Sequence, residues 1–168
     1  MAARALPRFT QDIDIAVAVD SDRAAEELIH SFLQDGYHAE AAIEHEAVDR
    51  LATVRLERAV VPEEEVVVDL LFASSGIEPE IAGAATRLEI VPGLVLPVAL
   101  TGHMMALKLL AHSESRPQDL ADLHALAAVA TPEDWTVARD AARLITERGY
   151  NRGRDLLTAL EQLQSGQP

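Results

Sequence analysis

The chain has 168 residues, of which 49% are hydrophobic, 25% charged and only 4% aromatic, a balance that excludes a disordered chain and suits one domain with an aliphatic core. The absence of cysteine excludes disulfides, thiolate chemistry and cysteine zinc sites. A formal net charge of −14 disfavours sequence-independent binding to nucleic acid, which depends on neutralising phosphates.

The opening Met1-Ala2-Ala3-Arg4-Ala5-Leu6-Pro7 carries too few apolar residues for a signal peptide. The apolar stretches near 66–72 and 91–110 are interrupted by Asp, Pro, Gly or His, so no bilayer span is expected. A cytoplasmic location follows as the expectation. Residues 12–19 alternate Asp or Ala with Ile or Val and read as a strand. Ser21 or Asp22 caps a helix from about Arg23 to Gln34, stopped by Gly36. Tyr37–Ile43 reads as a strand. Leu51–Leu56 pairs through the Pro62-Glu63-Glu64-Glu65 turn with the strong strand Val66–Phe72.

Ser74-Ser75-Gly76 ends that strand, either as a plain turn or as a source of hydroxyls and amides for a ligand. A short helix spans Glu78–Ala84, and Pro92-Gly93 separates two extended pieces, Arg87–Val91 and Leu94–Pro97. The remainder is helical: Ala99–His112, Gln118–Val129, Glu133–Arg148 and about Arg152–Leu163. Strands first and helices last predict a small mixed sheet with flanking helices and a helical C-terminal half, an α+β or α/β arrangement. The expected division is a sheet core over residues 1–98, a helical part packed on it over 99–164 within one structural unit, and a tail over 165–168.

Residues two apart on a strand share a face, so Asp12 and Asp14 project side by side. Asp69 sits inside Val66-Val67-Val68-Asp69-Leu70-Leu71-Phe72, where burial penalises a charge. Such a carboxylate is normally neutralised or partnered. A hard divalent cation is the simplest partner for three converging carboxylates, and magnesium commonly links carboxylates to substrate phosphates. Adjacent strands lie about 4.8 Å apart, close enough for Asp69 to join a cation held by the first pair. Two ions about 3.5–4 Å apart would activate an attacking hydroxyl and stabilise a leaving pyrophosphate. The plainer reading of Asp12 and Asp14 is a solvated strand edge. Asp69 weighs against it, because its apolar setting leaves little room for solvent.

A second cluster lies in the helical half. Lys108 interrupts the apolar Met104–Ala111 segment, and Arg116, Asp119 and Asp122 recur at spacings of three. The lysine either runs its stem along the core surface or aims its ammonium at a nucleotide phosphate. Arg116 either pairs with Asp119 across a helical turn or clamps phosphate bidentately. Arg139, Arg143, Arg148, Arg152 and Arg154 form a late basic cluster that could offset the acidic whole locally. The six histidines show no metal-ligand spacing, and His103, His112 and His124 read as helix-face residues. Walker A, Rossmann and G-x-S-x-G patterns are absent, and Trp135 reads as a packing anchor at a helix start.

Pro7-Arg8-Phe9-Thr10-Gln11-Asp12-Ile13-Asp14-Ile15, then Val68-Asp69-Leu70-Leu71, Leu107-Lys108-Leu109-Leu110-Ala111 and Arg116-x-x-Asp119-x-x-Asp122-Leu123 occur in this order. Together they resemble the AbiEii/AbiGii-type nucleotidyltransferases over about residues 3–127. The resemblance implies a minimal, polymerase-beta-like nucleotidyltransferase fold that binds a nucleoside triphosphate with Mg²⁺, or Mn²⁺ in its place. It implies metal-ligand positions for Asp12 and Asp14, with Asp69 as third carboxylate. It further implies triphosphate binding by Lys108, joined by Thr10 and Arg116, and a catalytic or positioning role for Asp119. Many such proteins are toxins of toxin–antitoxin pairs and some act on tRNA ends, so an antitoxin and a tRNA acceptor are the implied partners. The family also carries a Gly-Gly or Gly-Ser turn well ahead of Asp-x-Asp, whereas no glycine precedes Gly36 here. The expectation is that this turn and the strand before it are missing. Three functions are therefore carried forward. They are nucleotidyl transfer to an acceptor hydroxyl of tRNA or protein, nucleotide or protein binding by an impaired relative, and nucleotidylation of a small molecule, which the acidic charge suits if that molecule is cationic.

Overall fold

The structure is a computed structural model that describes residues 12–45, 49–61, 64–112 and 117–166. The described chain is mixed α and β, as expected, and divides into two compact units. One holds residues 12–74 with 78–82, and the other holds residues 75–77 with 83–166.

The first unit is a four-stranded sheet with a helix on one face. Its strands are β1 (Asp12–Ala16), β2 (His38–His45), β3 (Arg50–Val61) and β4 (Glu64–Leu71), in the order β1-β4-β3-β2. β2, β3 and β4 form an antiparallel meander, whereas β1 pairs with β4 in parallel. Period-two alternation sorts the side chains. Val54, Leu56, Val68 and Leu70 face a core completed by Phe72 and by Ala25 of helix α1 (Asp22–Gln34). Leu28, Ile29 and Phe32, at helical spacing on α1, cover the same face. The Ser21 hydroxyl caps α1 by accepting from the Ala24 amide at 3.3 Å, satisfying one of the orphan donors of the first turn.

The second unit contains a hairpin of β5 (Thr86–Val91) and β6 (Leu94–Val98), turned at Gly93 with φ +85°. Four helices follow: α3 (Thr101–Ala111), α4 (Pro117–Val129), α5 (Pro132–Glu147) and α6 (Leu156–Ser165). Helix α3 packs against the other three, most extensively against α5. Met105, Ala106, Ala138, Ala142 and Ile145 are fully or almost fully buried in this helical core. Thr131 and Asp134 form a reciprocal capping box ahead of α5, with Pro132 in the first turn where its missing N–H costs nothing. The short helix α2 (Glu78–Ala84) begins in the first unit and ends in the second.

Three boundaries differ most from the sequence reading. β1 ends at Ala16 rather than Val19, after which the chain leaves the ladder. β3 runs to Val61, well past Leu56, because β4 pairs along it as far as Glu64. The last helix starts at Leu156, since Arg152 and Gly153 both adopt positive φ and Asp155 supplies the cap. Arg152–Arg154 therefore lie in the preceding turn.

Candidate functional site

β1 and β4 bring the sequence-predicted carboxylates onto one face of the sheet. Asp14 is the register partner of Asp69, and Asp12 stands opposite Val67 one pleat away. All three share the face opposite the α1 core, since Val68 and Leu70 point the other way. Asp12 and Asp14 are exposed and Asp69 is buried.

Asp69 is not alone. Across β3 its register partner is Arg55, whose Nε and Nη2 donate to the two carboxylate oxygens at 2.9 and 2.7 Å. One row across the sheet thus reads Asp14, Asp69, Arg55. A buried Asp69 calls for a positive partner, and the chain supplies one itself in Arg55. Arg55 did not figure among the candidate residues. Its signal was the alternation of Ala52, Val54 and Leu56, which leaves Arg55 on the face away from the core. The hydrogen bonds and charge of Asp69 hold the Arg55 guanidinium more firmly protonated than usual, with Glu40 and Asp12 adding smaller contributions.

No three His, Asp or Glu side chains among the described residues stand as a ready cage for a metal ion. Oxygen donors suit a hard cation by type, but the three carboxylates do not stand together as one metal-binding group. Carboxylate oxygens are the ligands magnesium prefers, and one pleated face carries three of them in adjacent positions. Asp12 and Asp14 would hold the ion, while Asp69 would have to share its oxygens with Arg55.

The helical unit carries the second cluster. Lys108 of α3 donates from Nζ to Oδ1 of Asp119 at 2.7 Å and approaches Oδ2 of Asp122 at 3.1 Å. Gln118 adds a hydrogen bond to the other Asp122 oxygen at 3.2 Å. Asp119 and Asp122 are buried, and the second Asp119 oxygen meets no hydrogen-bond donor among the described residues. Burial pushes the Lys108 pKa down, but the hydrogen bonds and charges of Asp119 and Asp122 outweigh it and leave the ammonium more basic than usual. Sequence spacing linked Asp119 with Asp122 but did not assign them to Lys108. That pairing depends on how α4 docks beside α3. Thr10 and Arg116 lie outside the described residues.

The late arginines are largely engaged within the chain. Arg139 donates to Gln164 and Arg143 to Asp140, at 3.2 and 2.9 Å. Arg148 donates to the Gly76 carbonyl, and Arg154 to the carbonyls of Leu109 and His112. Among the described residues, no helix is long and apolar enough to cross a membrane.

The family described as "Nucleotidyl transferase AbiEii toxin, Type IV TA system" matches residues 1–167. The chain belongs to the AbiEii nucleotidyltransferase toxin family. The match extends well beyond the span of the motifs, through the helices that follow Asp122. No curated protein matches the chain.

Proposed function

We propose that this AbiEii-family chain transfers a nucleoside monophosphate from a nucleoside triphosphate to an acceptor hydroxyl, with Mg²⁺ or Mn²⁺ as cofactor. The observation that carries the reading is the row on the sheet face away from α1, where Asp14 and Asp69 are register partners and Asp12 is one pleat away. Asp12 and Asp14 hold the cation, and Asp69 completes the carboxylate set or orients the acceptor hydroxyl. The hydroxyl oxygen forms a bond to the α-phosphorus, the bond from that phosphorus to the bridging oxygen breaks, and pyrophosphate leaves. The hydroxyl proton passes to a carboxylate or to water. Bound magnesium supplies charge neutralisation on the phosphates. Lys108, Thr10 and Arg116 bind the triphosphate, and Asp119 positions the Lys108 ammonium through their hydrogen bond.

The type IV family description supports an antitoxin protein as partner. Nucleoside triphosphate as substrate supports action in the cytoplasm. For the acceptor, the net charge of −14 favours a cationic small molecule over RNA.

Asp14→Asn is the direct test. Asp14 is exposed at the sheet edge, so the amide removes the charge while preserving shape and fold. Label incorporation from an α-labelled triphosphate should disappear while the melting transition barely moves. Undiminished incorporation would remove Asp14 from the machinery. A second reading, nucleotide binding without turnover, draws on the internal pairing of Asp69 with Arg55 and of Lys108 with two aspartates. Calorimetry separates the two: metal-dependent triphosphate binding with no product would favour the binding module.

A further inference from the structure

Lys108 reaches Asp119 and Asp122 on α4 from the last turn of α3, so that turn must keep its place. A helix end holds itself poorly, because its final carbonyls have no intrahelical donor. The end of α3 has no glycine cap. His112 leaves the helix at once, with φ −52° and ψ 134°, while its N–H bonds back to the Lys108 carbonyl at 2.8 Å. The carbonyls of Leu109 and His112 are taken by a single side chain, Arg154, whose Nη1 donates to both. A guanidinium there also meets the negative end of the α3 dipole.

The turn between α5 and α6 holds Arg154 from both sides. Arg152 and Gly153 ahead of it take φ of +53° and +71°, a conformation that costs energy at a residue with a side chain. The Arg154 N–H donates to the Asn151 carbonyl, and the Arg154 carbonyl accepts from Nδ2 of Asn151, both at 2.9 Å. Asp155 then caps α6 by accepting from the Thr158 amide at 3.0 Å. The side chain of Arg154 carries this fixed geometry to Leu109, the residue next to Lys108.

We propose that Arg154 is a positioning residue for Lys108, fixing the last turn of α3 so that the ammonium is held for a nucleoside triphosphate. The inference rests on the triphosphate reading of Lys108 in the proposed function. Arg154 acts through the α3 backbone rather than by contact with nucleotide.

The test uses the full chain, isotopically labelled, and follows exchange of the Lys108 ammonium protons with water by NMR. Lys108→Met assigns the signal by its loss. Arg154→Met removes the donors, so the ammonium should exchange about tenfold faster as the end of α3 opens locally. Arg154→Lys keeps a charged donor and should recover most of the protection. Thr131→Ala is the control, since it removes the α5 cap, which lies beside Gly102 at the start of α3. Its melting temperature should fall while its Lys108 signal matches the unmodified chain. Affinity for each ribonucleoside triphosphate with Mg²⁺, read by calorimetry, should drop roughly tenfold in Arg154→Met, because the ammonium is no longer preorganised. Arg154→Lys should restore it.

Unchanged exchange in folded Arg154→Met overturns the inference. Equally fast exchange in Thr131→Ala overturns it too, because the effect would then be one of general stability. If Arg154→Met fails to fold, Arg154→Gln is measured in its place against the same outcomes. Lys108→Met separates this inference from the reading beneath it. Affinity lost in Lys108→Met but kept in Arg154→Met sinks the Arg154 role alone. Affinity unchanged in Lys108→Met, or no triphosphate binding by the unmodified chain, sinks the triphosphate reading itself.

Discussion

Lys108, Asp119 and Asp122 form a cluster with one cation and two anions, packed where solvent screening is weak. The Lys108 side chain is 26% exposed and that of Asp122 only 2%. Removing the lysine leaves two buried carboxylates without their cation, so Lys108→Met should destabilise the chain by about 3 kcal/mol, measured by urea unfolding. A loss near zero would show that the aspartates are satisfied elsewhere. The same pair has a pH signature. The folded-state pKa of Lys108 is raised above its usual 10.5, so its contribution is fully present below that value. As pH rises through the folded pKa, the ammonium is lost and the contribution with it. The unmodified chain should therefore lose stability at strongly alkaline pH in a step that Lys108→Met lacks. The sequence exposed Lys108 as an odd residue in an apolar helix but not its partners, because Asp119 lies eleven positions later on the next helix. Arg55 was hidden for a similar reason: its partner is fourteen residues away on a neighbouring strand.

At the scale of elements, local hydropathy and the turn residues between segments located nearly every helix and strand. The close approach of α3 to α5 was not visible that way. A Cβ on Gly102 would run into the Asp134 carbonyl oxygen and lie 2.8 Å from the Ala138 amide nitrogen, both backbone atoms. Neither can turn aside as a side chain would. Gly102→Ala should therefore push the two helices apart and cost about 1–3 kcal/mol, read as a lower melting temperature. A neutral result would mean that α3 shifts along α5 without loss of packing. Gly76 makes a comparable approach to the Tyr150 ring, and its φ of +74° adds a backbone requirement of its own. Strand ends and the start of α6 were the least legible boundaries, since pairing partners and positive φ, rather than hydropathy, set them.

Over the whole molecule, the net charge of −14 and the internal use of the late arginines argue in the same direction. The chain should fail to retard a random single-stranded RNA at physiological salt in a gel-shift assay. Binding that falls steeply as salt rises would instead reveal a basic surface among groups not spent internally. The sequence by itself determined the α+β class, the order of elements, the family likeness and the three candidate carboxylates. Those properties follow from composition, local periodicity and short ordered motifs, all carried by neighbouring residues. Tertiary structure alone decided that Asp14 and Asp69 are register partners, that Arg55 holds Asp69, and that Lys108 serves two aspartates. Strand register and helix docking join distant segments, and the charge pairing of a site is settled only when those segments meet.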